Sequence, residues 1–178
     1  MFFPSYHGNG YPWPGTIPKA CGRPICIEFR QTVPDAEGGP AHAATYLRRR
    51  QMVLEEALMA DTDNFARVFV HELFHFVWLR LGNTKRRVYE GLLASELRQG
   101  ARGELGWSAE WRKAKLRPDD WKKRTRKWRE YCCESFCDTA AWRYAGVRAH
   151  GEFTLPAGSR AARAAWFQRA GIDQGIAI

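Results

Sequence analysis

The sequence predicts an α+β fold, mostly helical, with a small sheet placed before a central helix. Two observations predict it. Residues 24–30 alternate strictly between apolar and polar side chains, as a strand with one buried face does. From residue 42 to residue 171, most segments repeat an apolar side chain every three or four positions, the period of a helix with one buried stripe. The 178 residues suit a single domain over 1–178. Apolar residues make up 45% of them, enough to build a core and to exclude disorder as the dominant state.

The elements follow in order. Residues 1–24 form an arm rich in Pro, Gly and aromatic side chains; prolines at that density block both helix and central strand. In the strand over 24–30, Ile25, Ile27 and Phe29 point to one face and Cys26, Glu28 and Arg30 to the other. Residues 34–40, with Asp35, Gly38 and Gly39, read as a loop. Tyr46, Leu47, Val53, Leu54, Ala57 and Leu58 are spaced as in a helix over 42–60. The run Asp61-Thr62-Asp63-Asn64 offers N-caps for a second helix, which ends at Gly82-Asn83 as a C-cap. A third helix covers 88–98, and Ser108 caps a short one to residue 115. Pro118 opens one long helix to residue 145, stopped by Gly146. A weak strand is expected over 152–155 and a last helix from Ser159 to Gly171.

No window holds enough uncharged apolar residues for a membrane span, and the first residues lack the pattern of a secretory signal. Five cysteines, Cys21, Cys26, Cys132, Cys133 and Cys137, make a poor disulfide framework, with only a Cys21–Cys26 bridge conceivable. These features suit a reduced, cytoplasmic setting.

The chemistry is concentrated in His71-Glu72-Leu73-Phe74-His75, an H-E-x-x-H within a helix. Residues four apart are offset by about 40° around a helix axis, so His71 and His75 share a face. At that spacing both imidazoles can reach one Zn²⁺ at about 2.0–2.1 Å. Glu72 lies about 100° away from His71, where it flanks the metal as a general base without binding it. The surrounding helix is apolar almost all round, and buried polar groups in such a place need partners.

A catalytic zinc takes a third protein ligand and keeps one open position. No histidine follows His75 at a useful distance, so a carboxylate is expected: Glu134, with Glu96 and Glu90 as the alternatives. Glu134 and Asp138 form an E-x-x-x-D on one helix face. Glu134 then binds the metal while Asp138 accepts the free ring N–H of a ligand histidine, as outer-shell carboxylates do. Cys132, Cys133 and Cys137 are competent zinc ligands by chemistry, but read as buried structural thiols. Cys21 or His7, in the arm, would be placed to close the open position.

In these two segments, His71-Glu72-Leu73-Phe74-His75 and Glu134-Ser135-Phe136-Cys137-Asp138, the chain resembles the gluzincin class of zinc metallopeptidases. The resemblance implies a zincin-like domain, with a mixed sheet ahead of the active-site helix. It implies one catalytic zinc held by His71, His75 and Glu134, Glu72 as general base on the zinc-bound water, Asp138 behind a ligand, and a peptide or protein substrate. That class also carries a Tyr or His that stabilises the oxyanion; Tyr131, Tyr144, Tyr89 and His150 are the candidates.

The rival reading comes from charge. The chain carries a formal net charge of +9, and residues 110–130 hold ten basic side chains against four acidic ones. Trp107, Trp111, Trp121 and Trp128 interleave with them. Basic and aromatic residues together suit nucleic acid, which makes a nucleic-acid-associated or regulatory zincin-like module the alternative function. A solvated helix face with its tryptophans packed inward is the simpler account, because Trp121 and Trp128 are at core spacing.

Overall fold

The structure is a computed structural model that describes residues 14, 16–34 and 40–178. The first strands are β1 (Ala20–Cys21), β2 (Cys26–Arg30), β3 (Val33–Pro34), β4 (Pro40–Ala41), β5 (Ala43–Tyr46) and β6 (Gln51–Glu55). The helices are α1 (Thr62–Arg80), α2 (Asn83–Arg98), α3 (Trp107–Lys113), α4 (Pro118–Lys123), α5 (Arg126–Tyr144) and α6 (Ala157–Arg169), and β7 (Ile176–Ala177) closes the order. The expected α+β class is observed, with a small mixed sheet ahead of the helix that carries the histidines.

That sheet has the order β2-β6-β5. β2 runs parallel to β6, with Ile27 opposite Met52, and β5 runs antiparallel to it, with Thr45 also opposite Met52. The strand expected over 24–30 is therefore present as β2, with Ile25 and Ile27 buried and Cys26 and Arg30 exposed. The helix expected over 42–60 is not; β5, β6 and two short 3₁₀ turns occupy it. Two physical facts explain the error. Met52, Val53 and Leu54 are all buried, because β6 is central and covered on both faces, so it shows an unbroken apolar run and no alternation. Arg50 sits in the left-handed region at φ 51°, which no helix interior tolerates.

α1 begins where the Asp61 carboxylate accepts from the Asn64 amide at 3.1 Å, as the sequence predicts. Phe65, Phe69, Val70, Leu73, Phe74, Phe76 and Val77 bury it, and α5 packs along it. Gly82 is not a left-handed C-cap: its φ is −59° and α2 starts at the next residue. The last carbonyls of α1 are satisfied from α2 instead, where the Arg86 guanidinium donates to Trp78 O at 2.9 Å and Leu79 O at 2.6 Å. The long helix expected from Pro118 is split. Arg124 turns left-handed at φ 49°, and Thr125 caps α5 by accepting from Trp128 N. Residues 152–155 form no strand; the amides of Thr154 and Leu155 both donate to the single carbonyl of Glu104. Of the arm, residues 1–13 and 15 lie outside the described residues, while β1 pairs in parallel with β7 at the other end of the chain.

Beneath α2, α5 and α6 lies a buried charged network. Arg163 is fully buried and donates to Glu96 at 2.7 Å and to Glu104 at 2.7 Å. Tyr131 donates to Glu104 at 2.6 Å, and Lys113 lies 3.2 Å from the same carboxylate. The network ties the loop before α3 to the helices below. Replacing Arg163 by methionine strands two buried carboxylates, and removal of one partner from such a group costs about 3–5 kcal/mol. Urea unfolding is expected to show that loss, and a variant as stable as the parent would refute it.

Candidate metal centre

α1 and α5 carry the chemical residues and face one another. On α1, His71 and His75 are stacked one turn apart, with ring centroids 5.0 Å apart. On α5, Asp138 Oδ1 lies 2.7 Å from His71 Nδ1, and Glu134 Oε2 lies 3.2 Å from His71 Nε2. His75 Nδ1 lies 3.5 Å from Cys133 Sγ. Each imidazole thus has its Nδ1 backed by α5: a carboxylate stands behind one ring and a thiol behind the other.

The electrostatics follow from that packing. Burial lowers the proton affinity of His71, but the charges and hydrogen bonds of Asp138 and Glu134 outweigh it and hold the ring well above its usual pKa. Burial acts likewise on His75, and Cys133, Glu134 and Glu72 together lift it to about 9. Burial would raise the Glu134 carboxyl; hydrogen bonding from His71 and the charges of His75, His71 and Arg112 bring it down to about 2. The Cys133 thiol falls to about 6 through the hydrogen bond from Cys137 and the neighbouring His75. Protons on the histidines hold this cluster of acidic groups together, and a cation could replace them.

The donor set fits such a cation. One donor atom from each of His71, His75 and Cys137 lies within 4.8 Å of the others, and imidazole and thiolate are the ligands that suit zinc. Glu134 adds an oxygen beside His71. Cys137 is fully buried, one turn beyond Cys133 on α5. A trio that joins buried Cys137 to the two half-buried histidines was not expected from the sequence, which reads the cysteines as structural.

Glu72 is held from the sheet. Thr45 Oγ1, on β5, donates to Glu72 Oε2 at 2.5 Å and lies 3.3 Å from its carbonyl oxygen. Thr45 escapes a sequence reading because its segment has helical spacing and its pairing partner is distant in the chain. Arg112, on α3, brings Nη2 to 3.4 Å from Glu134 Oε1. The same short helix donates the Ala109 amide to Asp138 Oδ2 at 3.0 Å.

Gly106 makes that approach feasible. A Cβ there would lie 2.3 Å from the Asp138 carboxylate, so only glycine leaves room for it. Gly106→Ala is therefore expected to displace Asp138 from His71 and weaken metal binding by about 10–100-fold, the usual cost of losing an outer-shell partner. A competition titration with a chromophoric chelator measures it; unchanged affinity would show that Asp138 does not orient His71.

Other expected participants are engaged elsewhere. Glu90 pairs with Arg124 at 2.6 Å and Glu96 with Arg163, which removes both as alternative ligands. The Tyr131 hydroxyl is spent on Glu104, that of Tyr144 on Asp173, and that of Tyr89 on Ser135 O and Thr139. His150 accepts from the Glu152 amide at 3.2 Å through Nδ1 and packs near Phe153. Among the described residues none of these four hydrogen-bonds to the histidine pair, because the carboxylates and helix turns nearest them take their polar atoms first. Cys21 and Cys26 are free and exposed, so the conceivable bridge is not formed. Cys21 sits on β1 beside Ala177, and His7 lies outside the described residues.

The tryptophans divide. Trp128 is buried and Trp121 packs on the core, as their spacing predicts. Trp107 and Trp111 do not pack inward: they are 62% and 39% exposed and stack with centroids 5.9 Å apart. Lys115 Nζ lies 3.0 Å from the Trp111 ring centroid. In the basic segment Lys123, Arg124 and Arg126 pair with Asp119, Glu90 and Glu130.

Fold and site together define an α+β protein in which His71, His75 and Cys137 form a group able to hold a metal ion. Compared with known proteins, the chain matches no protein-family model, no curated protein and no solved structure. Among the described residues no helix is long and apolar enough to cross a membrane.

Proposed function

We propose that the chain is a zinc-dependent peptidase, its ion held by His71, His75 and Glu134. The observation that carries this reading is the seating of His71. Asp138 takes Nδ1 at 2.7 Å, which leaves Nε2 directed at Glu134, 3.2 Å away. Asp138 thereby fixes the tautomer that leaves Nε2 free as a ligand. A zinc ion there would supply Lewis-acid polarisation of a carbonyl and acidification of a water.

The chain's own residues perform the rest. Glu72, steadied by Thr45, takes a proton from the attacking water and returns it to the departing amine. Arg112, beside Glu134, is the cation placed to meet negative charge developing on the substrate carbonyl oxygen, the role expected of Tyr131, Tyr144 or His150. β5 pairs on one side only among the described residues, and its other edge offers backbone groups to an extended peptide. Trp107 and Trp111, on the helix that bears Arg112, offer an apolar surface to a substrate side chain.

Anomalous diffraction at the zinc edge tests the reading. A peak bonded to His71, His75 and Glu134 is expected; a protein that arrives without zinc and cannot be loaded would overturn it. One observation favours a second reading, the nucleic-acid-associated module. The stacked Trp107–Trp111 pair is exposed, and Lys122, Lys127 and Arg129 are exposed within the same basic segment, a combination suited to bases and phosphates.

A further inference from the structure

A cleft of about 510 Å³ lies between residues 23–28 and the β5–β6 turn, walled by Arg23, Pro24, Glu28, Arg48, Arg49 and Arg50. It is independent of the metal centre and of the peptidase reading. Its charge is one-sided. Glu28 is the lone carboxylate in the wall, and it is already taken by Arg30 at 2.8 Å and by Gln51. Among the described residues, no ion pair joins Arg23, Arg48, Arg49 or Arg50 to a carboxylate.

The fold assembles this cluster from two segments. Arg48 and Arg49 follow β5 in a 3₁₀ turn, and Arg50 leaves it in the left-handed conformation. The Arg50 guanidinium then donates to the carbonyls of Pro24, at 3.1 Å, and Arg23, and lies over the Phe76 ring of α1 at 5.6 Å. The Cys26 amide closes the junction by donating to Arg50 O at 2.8 Å. Arg50 is thus locked as the floor, while Arg23, Arg48 and Arg49 stand exposed at the rim. Burial, and then the positive charges of Arg80 and Arg23, make Arg50 easier to deprotonate than an ordinary arginine. The field at this place is uncompensated and favours an anion.

We infer that the arginine cleft binds a phosphate chain, either a free polyphosphate or the backbone of a nucleic-acid strand. Guanidinium groups match phosphate oxygens in forked, two-point hydrogen bonds. Several of them converging on a small cleft call for closely spaced charges. An extended acidic peptide spaces same-side carboxylates about 6.5–7 Å apart, whereas neighbouring phosphates of a free polyphosphate share a bridging oxygen and sit closer; a nucleic-acid strand, with phosphates spaced about as widely as those carboxylates, shares only the forked phosphate contact. The cleft volume is that of an ordinary small-ligand site. The sequence hides the site, because Arg23 and the run Arg48-Arg49-Arg50 are brought together only by the pairing of β2 with β6.

Titration of tripolyphosphate, a short single-stranded oligonucleotide and polyglutamate into the full chain tests the inference. The proteins compared are the parent, the double variant Arg48→Gln/Arg49→Gln, and a control, Lys122→Gln/Lys127→Gln/Arg129→Gln. The double variant changes only exposed side chains, and its melting curve checks that it is folded. At least one phosphate probe is expected to bind the parent and the control, and to lose at least tenfold in affinity in the double variant. If the strand binds, its log–log salt slope is expected to shrink by about 1.4 when two phosphate contacts go. Preference for tripolyphosphate over the strand identifies a free polyphosphate, and the reverse identifies nucleic acid. Failure of both phosphate probes, equal binding by the double variant, or polyglutamate binding as tightly would each overturn the inference.

Discussion

Replacing Glu72 by alanine is expected to lower peptide hydrolysis by about 10²–10⁴-fold, the range lost with a general acid–base, while zinc binding stays intact. Glu72 sits between the two histidines in sequence, yet its carboxylate is turned to Thr45, at 2.5 Å, and not to their ring nitrogens. On the proposed reading it is therefore not needed to hold the ion and is needed to move the proton. Zinc content by mass spectrometry and cleavage of a fluorogenic peptide library measure the two properties separately. If Glu72→Ala retained the parent's rate, the hydrolytic role would be wrong even with zinc bound. If it lost zinc, Glu72 would be a ligand and the assignment of Glu134 would fall with it.

The second large effect concerns the third ligand, where two residues of α5 compete. Glu134→Gln is expected to weaken zinc binding by more than the 10–100-fold that loss of an outer-shell partner costs. Cys137→Ala is expected to leave it nearly unchanged. Glu134 is already ionised, and its oxygen lies 3.2 Å from the nitrogen that Asp138 leaves free. Cys137 is fully buried, and burial together with its hydrogen bond to Cys133 pushes its thiol well above the usual value. It must lose a proton and its bond to Cys133 before it can bind an ion. Chelator competition on both variants decides the matter. The opposite order, with Cys137→Ala losing the metal and Glu134→Gln keeping it, would mean a closed two-histidine, one-thiolate site, more in keeping with a structural ion than a catalytic one.

Both outcomes bear on residues whose helices are legible from the sequence. The period of α1 and the cap at Asp61 place His71 and His75 on one face, and the four-residue spacing places Glu134 with Asp138. What the spacing could not show is how the facing surfaces meet: that Cys133 stands behind His75, that Cys137 comes within reach of both rings, or that Glu90 and Glu96 are drawn off by Arg124 and Arg163. The sheet is less legible. β6 is buried on both faces and so lacks the alternation that marks β2. With it the sequence reading loses β5, the anchor Thr45 and the turn that raises Arg48–Arg50 into a cleft.

The candidate site residues were thus determined by the sequence itself: a histidine pair with a glutamate between, on a helix too apolar to leave them unpartnered, and a carboxylate pair on a later helix. Tertiary structure alone decided which groups serve them. Gly106 admits the Asp138 carboxylate, α3 swings Arg112 to Glu134, and the hydroxyls of Tyr131 and Tyr144 are withdrawn to Glu104 and Asp173. The reason is physical. Periodicity in a chain fixes which side chains share one face of one element, and it carries no information on which face of another element packs against it.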